Sequence, residues 1–164
     1  CYSLASVTIP SSVTSLGDSC FSDCSSLASI TLGYTGNNIP NESKFKTYGG
    51  PTRYYTIPSG EQSNYTSKGY SNFITTHDTG ATYNQNSTTG NITITFDNNE
   101  YGTITGELTA ITENDETNIG TITNNTITFT QNTRILLLGI KNNNTWQTFI
   151  TYDSLPDYIK NYNQ

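Results

Sequence analysis

Apolar and polar positions recur with a fixed period at the start of the chain. The segments CYSLASVTIP, beginning at Cys1, and CSSLASITLG, beginning at Cys24, share Cys, Leu, Ala, Ser, an aliphatic residue, Thr and a second aliphatic residue at an offset of 23 residues. A unit this short cannot bury its own apolar face, so we expect the copies to stack on one another. The aliphatic residues that alternate with small polar ones predict short strands at residues 6–9 and 29–32.

A third strand is predicted at Tyr54–Ile57, with Tyr55 and Ile57 as its inward residues. After it, Ser59 is a candidate N-cap for a short helix at Glu61–Lys68, because serine caps helices well. Aromatic residues are expected to complete this core. Phe45 is predicted to enter the same layer as Phe21, and the end of the array is predicted to be covered by Tyr65, Tyr70 and Phe73.

The run SLASVTIPSSVTSLGDSCFSDCSSLASITL resembles the BspA-like leucine-rich repeat, which is common in bacterial cell-surface proteins. YYTIPSGEQSNYTSKGYSNF is similar to the last unit of such arrays, so the resemblance covers residues 1–76. It implies a leucine-rich-repeat solenoid with short convex helices and a C-terminal cap. Because the chain opens inside a repeat without a starting Met, we also expect it to be a fragment of a longer array.

Further along the chain the apolar period changes to two. The polar, breaker-rich segment 77–89 is predicted to be a linker. The runs NITITF, TITGELTAI, GTIT, TITFT, RILLLGI and WQTFITY then alternate between turn signals, with Asn124-Asn125 as a two-residue hairpin turn. They predict a small antiparallel β-sandwich-like domain at residues 90–164, in which residues 135–140 form a central strand, followed by a short C-terminal helix. The expected fold class is mainly β.

Charge is unevenly distributed and limits the partners. The net charge is −6. Residues 1–76 are balanced, whereas residues 77–164 hold nine acidic and three basic residues. Without a basic footprint, binding to nucleic acid is disfavoured, as is binding to an anionic lipid surface. No apolar run has the length of a membrane span.

The cysteines suggest packing and not chemistry. Cys1 and Cys24 occupy equivalent repeat positions, and with Cys20 they are predicted to be free, buried thiols. A disulfide between Cys1 and Cys24 is disfavoured because their side chains point in parallel directions. One His and no Cys-x-x-Cys motif give little support for zinc.

Other candidate reactive groups have simple alternatives. The adjacent residues His77 and Asp78 could form a catalytic dyad, but no matching nucleophile is recognisable in the sequence. We therefore interpret the pair as incidental. The acidic turns 97–100 and 113–116 are either solvated turns or weak calcium sites, and neither has the spacing of a calcium loop. We therefore predict no catalytic residue, no metal and no cofactor, and a protein that is not an enzyme.

The favoured function is binding. Outward side chains of the three repeat strands form the predicted concave site, in which small polar groups and one Tyr face a ligand: Ser6, Thr8, Ser29, Thr31, Tyr54 and Thr56. The resemblance implies a surface-displayed or secreted bacterial protein whose partner is a protein, a host surface or an extracellular-matrix ligand. The tyrosines expected to be exposed are either contact residues or scattered surface residues: Tyr34, Tyr48, Tyr54 and Tyr83.

Two alternatives assign a role to the C-terminal domain. It could bind carbohydrate through an aromatic platform, which an exposed Trp146 or Tyr101 would favour and a buried Trp146 would oppose. It could also be a structural spacer or attachment module.

Overall fold

The computed structural model describes residues 1–74, 76–77 and 79–161, with the backbone alone at His77. The fold is mainly β with few short helices. The chain divides into two compact units, and the second begins at Thr76. His77-Asp78, the candidate dyad, lies outside the side chains that the structure describes.

The first unit contains a parallel sheet in the order β1-β2-β3, formed by β1 (Ser6–Ile9), β2 (Ser29–Leu32) and β3 (Tyr54–Thr56). Ser6 pairs with Ser29 and Ile9 with Leu32, so the strand register keeps the 23-residue offset of the sequence repeat. This confirms the predicted strands. The winding of the repeats as a solenoid stays a prediction.

Aromatic residues fill the core of the first unit. Phe45 is fully buried, and its ring stacks on that of Phe21 with 5.4 Å between centroids. The ring of Tyr55 meets Phe45 edge-on at 6.4 Å. Tyr65 and Tyr70 are also buried, and their hydroxyls donate to the carbonyls of residues 34 and 40. The predicted aromatic layer is therefore confirmed.

The connections contain less helix than the resemblance implies. The first repeat has only turns between β1 and β2, which agrees with its Ser, Thr, Val and Gly content, since these residues favour helix poorly. The second repeat has 3-10 helices at Gly36–Asn38 and Glu42–Phe45, and the third has α1 (Gln62–Ser67). The prediction that Ser59 is the N-cap of this helix is wrong. The chain turns through Gly60 at φ +82°, and Glu61 becomes the N-cap without a side-chain bond.

Burial of the cysteines is only partly as predicted. All are free thiols, but Cys24 alone is buried, whereas Cys1 and Cys20 are exposed. Cys20 follows Ser19, whose positive φ of 60° belongs to an outer turn. Equivalent repeat positions therefore do not give Cys1 and Cys24 equal burial.

The second unit contains every strand predicted from the alternating runs, together with two additional ones. Its elements are β4 (Thr76–His77), β5 (Ala81–Gln85), β6 (Ile92–Phe96), α2 (Asn98–Tyr101), β7 (Glu107–Thr112), β8 (Asp115–Thr121), β9 (Thr126–Phe129), β10 (Leu137–Asn142), β11 (Thr145–Ile150), a 3-10 helix (Tyr152–Ser154) and α3 (Asp157–Lys160). They form a five-stranded sheet, β4-β11-β10-β7-β8, and a three-stranded sheet, β5-β6-β9. The prediction of a central strand is confirmed by β10, although the strand begins at Leu137 and not at residue 135. Residues 135–140 are all buried.

The segment 77–89, predicted to be a linker, instead contributes strands. Ala81 and Tyr83 alternate with polar residues along β5 and pack against the core, while β5 pairs antiparallel with β6. Strand β4 runs parallel to β11, so the larger sheet is mixed and not purely antiparallel. Two apolar residues in a breaker-rich stretch are too few to reveal such a strand by period.

Side chains from both sheets of the second unit join one apolar cluster, which includes Ile94 and Phe96 from β6 and Leu108 and Leu138 from β7 and β10. The two-residue turn at Asn124-Asn125 is confirmed, with φ of 50° and 55°. The description of this unit as a sandwich stays a prediction.

Candidate binding surfaces

The six residues of the predicted concave site, called the ladder from here on, lie in register on the repeat sheet. Strand pairing aligns them in two rows, one of Ser6, Ser29 and Tyr54 and the other of Thr8, Thr31 and Thr56. Intervening residues of the same strands, Ile30 and Tyr55 among them, belong to the core cluster. Because successive side chains of a strand point to opposite faces, the two rows share the face opposite that core.

The rows are unequally accessible. Thr8 is exposed, and Ser6, Thr31 and Thr56 are partly exposed. Ser29 and Tyr54 are 7% and 6% exposed, so they offer little surface. Of the tyrosines expected to be exposed, Tyr48 is 84% exposed, as predicted. The expectation is wrong for Tyr34 and Tyr54, which are buried, and Tyr83 is half-buried.

An ionic network in the first unit fixes the inner side of β3. The hydroxyl of Tyr55 donates to Oε1 of Glu42 at 2.8 Å, and Nη2 of Arg53 donates to the same oxygen at 3.3 Å. Burial is the main reason that the pKa of the Tyr55 hydroxyl is raised, and the hydrogen bond to Glu42 raises it further. The network keeps Tyr55 inward, and hence Tyr54 and Thr56 on the opposite face.

Trp146, the aromatic residue proposed for a carbohydrate platform, does not lie open on the surface of the second unit. Trp146 is half-buried, its ring centroid lies 4.5 Å from that of Phe149, and Nζ of Lys141 lies 4.7 Å from the Trp146 centroid. A half-buried Trp146 packed in this way gives little support to a flat aromatic platform. Phe149, on which the indole packs, is buried.

Carboxylates of the two acidic turns have structural roles. Oδ1 of Asp97 accepts a hydrogen bond from the backbone N–H of Asn99 at 2.7 Å and caps α2. Glu116 forms an ion pair with Lys141 at 2.6 Å. Within residues 1–74, 76–77 and 79–161, no group of three or more His, Cys, Asp or Glu side chains is placed to hold a metal ion.

A cleft that the sequence analysis missed lies wholly in the second unit. Its volume is about 270 Å³, and it is formed by α2, the loop after it, the end of β10 and the middle of β11. Nδ2 of Asn142 donates to Oγ1 of Thr105 at 3.2 Å and joins two of these elements. The lining residues are Glu100, Tyr101, Thr103, Ile104, Thr105, Gly106, Ile140, Asn142, Gln147 and Thr148.

A second polar surface covers the outer face of β5-β6-β9. Thr82 pairs with Thr95, and Asn84 with Thr93. The Thr93 hydroxyl lies 2.8 Å from that of Thr128. The Thr-x-Thr alternation could have revealed this face. The cleft has no sequence signal because its residues come from three separated segments, 100–106, 140–142 and 147–148.

Parallel strands related by a fixed offset, with Leu and aliphatic residues directed inward, define a protein of the leucine-rich-repeat class. The profile of the BspA type leucine rich repeat region (6 copies) matches residues 1–125, and the chain belongs to this family. Repeats of this family generally mediate protein interactions and typically occur in bacterial surface proteins.

The match extends beyond residues 1–76 into the second unit. No curated protein matches the chain, and no solved structure does. Among the described residues, no helix has the length and apolar character needed to cross a membrane.

Proposed function

We propose that this chain is part of a non-enzymatic, adhesin-like protein, secreted by a bacterium or displayed on its surface, whose repeat sheet binds a protein of a host surface or extracellular matrix. The observation that carries the proposal is the pair of in-register rows on the face opposite the core. Strand spacing of about 4.8 Å holds such side chains rigidly, so a ligand meets hydroxyls whose positions are already fixed.

The accessible part of the ladder defines the contact. Ser6, Thr8 and Thr31 present hydroxyls, whereas the hydroxyl oxygen of Thr56 is buried, as are Ser29 and Tyr54. Hydroxyls donate and accept hydrogen bonds but are weak nucleophiles without an adjacent base. This chemistry suits recognition by a polar protein surface.

Binding to an array of immobilised extracellular-matrix proteins tests the proposal. Thr8→Arg places a bulky charge at the exposed end of a row, and we expect it to weaken binding about tenfold or more, because a charge buried without a partner costs several kcal/mol. Thr31→Val keeps the shape but removes the hydroxyl, with an expected loss of about 3- to 10-fold. Thr14→Arg, at an exposed position between β1 and β2, is the matched control.

Equal binding by the Thr8→Arg and Thr14→Arg variants would show that the ladder is not the contact surface. If all variants lacked binding to any matrix protein, the spacer or attachment role of the second unit would gain support. The carbohydrate alternative through Trp146 is weakened by the packing of its indole on Phe149, and it now depends on Tyr101 in the cleft.

A further inference from the structure

We infer that the cleft between α2, the end of β10 and the middle of β11 binds one residue of a neutral saccharide. The inference rests on the carbohydrate alternative and is independent of the repeat sheet. It replaces a flat aromatic platform with a concave cleft that is partly open to solvent. The cleft volume of about 270 Å³ lies just below the range of about 300–1,000 Å³ that is typical for drug-sized ligands, which suits a single sugar ring.

The cleft combines an apolar wall with hydrogen-bonding groups. Tyr101, Ile104 and Ile140 supply the apolar part, against which the C–H face of a sugar ring can pack. Glu100, Thr103 and Gln147 are exposed and line the same cavity. A carboxylate accepts hydrogen bonds from hydroxyls, whereas an amide and a hydroxyl can both donate and accept. Sugar hydroxyls require this mixture.

Backbone features hold these groups in place. Asp97 caps α2, and Gly102 ends it at φ +65°. A Cβ at Gly80 would lie 2.6 Å from the side chain of Glu100, so the glycine permits the close approach of β5 to α2. The ring of Tyr101 meets that of Phe96 edge-on with 5.1 Å between centroids. Glu100 and Tyr101 therefore stand on a supported helical turn.

Charge argues against other small ligands. Among the described residues that line the cleft, Glu100 is the only charged one. Nζ of Lys141 lies within 3 Å of both carboxylate oxygens of Glu116. A phosphate or an acidic sugar would meet Glu100 without a cation, and a metal ion would find a single carboxylate. A neutral ligand with many hydroxyls fits best.

The test uses the full chain on an array of immobilised neutral oligosaccharides of glucose, galactose, mannose and N-acetylglucosamine, with sialylated and phosphorylated oligosaccharides for comparison. Isothermal titration with the retained oligosaccharide then measures affinity. We expect Glu100→Gln to weaken binding about 10- to 100-fold and Gln147→Ala about 3- to 10-fold, as charged and neutral hydrogen bonds are lost. Thr103→Trp, which fills the cleft, should abolish binding.

The matched controls are Asp153→Asn for the carboxylate and Gln85→Ala for the amide, both at exposed positions outside the cleft. They should leave the affinity unchanged within about twofold. Trp146 fluorescence during urea unfolding shows whether each variant keeps a folded second unit. Thr8→Arg, which tests the repeat sheet, should not affect saccharide binding.

Retention of no neutral oligosaccharide would overturn the inference. So would saccharide binding that survives Thr103→Trp, because the sugar would then bind elsewhere, or preferential binding of the sialylated or phosphorylated probes. A protein from the matrix array that loses affinity on Glu100→Gln would assign the cleft to a polypeptide and refute a saccharide site. The first three results would not bear on the proposal for the ladder. The last would count against the ladder as the contact surface for that matrix protein, unless Thr8→Arg also weakened its binding.

Discussion

Asn125 should be the polar residue on which the second unit depends most strongly. It follows Asn124 in the β-turn, and both have positive φ. Asn125 is only 5% exposed. Its Nδ2 donates to Oδ1 of Asn98 and to the carbonyl of Gly102, both at 2.6 Å, and its Oδ1 accepts from the N–H of Ile104 at 2.9 Å. One side chain thus connects the turn to both ends of α2 and to the loop beyond.

The pair Asn125→Gly and Asn124→Gly separates these bonds from the backbone requirement. Glycine adopts positive φ readily, so neither change strains the turn. Each of the three short bonds lost at Asn125 is worth about 1 kcal/mol, since a partner left unsatisfied in a partly buried place costs about 1–3 kcal/mol. We expect Asn125→Gly to lower the free energy of unfolding by about 3 kcal/mol. Asn124→Gly should lower it by at most about 0.5 kcal/mol, the value of an ordinary surface substitution.

Trp146 is the single tryptophan and lies on β11, so its fluorescence reports unfolding of the second unit within the full chain. With a urea slope of about 1–3 kcal/mol per M, the Asn125→Gly midpoint should fall by about 1–3 M. Asn124→Gly should follow the parent protein closely. Equal midpoints for the two glycine variants would refute the reasoning, because the hydrogen bonds of Asn125 would then contribute nothing beyond the turn.

The other predictions concern packing, capping and pH. Phe45→Ala should cost about 3–5 kcal/mol, measured by hydrogen exchange of the first-unit amides, because Phe45 is fully buried. Gly139→Ala should lower the free energy of unfolding by about 1–3 kcal/mol, because a Cβ would lie 2.9 Å from the backbone oxygen of Thr148. Urea unfolding followed by Trp146 fluorescence measures this change. Ser59→Ala should change the free energy of unfolding of the first unit by no more than about 0.5 kcal/mol, because Ser59 caps no helix. Burial raises the pKa of Tyr65 to about 12. The folded state thus favours the neutral phenol, and this contribution to the free energy of unfolding should be complete below about pH 10 and be lost as the pH rises toward 12. Tyr65→Phe should reduce that loss in alkaline titrations followed by circular dichroism.

Some of the candidate site was predictable because neighbouring strands repeat the same residues. The 23-residue offset became the register of β1 and β2, so the positions of Ser6, Thr8, Ser29 and Thr31 in two rows follow from the sequence. The accessibility of a row did not follow. Tyr54 occupies an outward register position and is nevertheless buried, since burial depends on every group that surrounds a side chain and not on its own strand alone.

The sequence by itself determined the local features of this protein: the repeat strands, the alternating strands, the Asn124-Asn125 turn and the family. These depend on residues close along the chain, whose period and backbone preferences are directly readable. Only the tertiary structure decided the strand order β4-β11-β10-β7-β8, the use of β5 in a sheet and the cleft containing Glu100 and Gln147. These features join distant segments, and their free energy comes from contacts that no local pattern records.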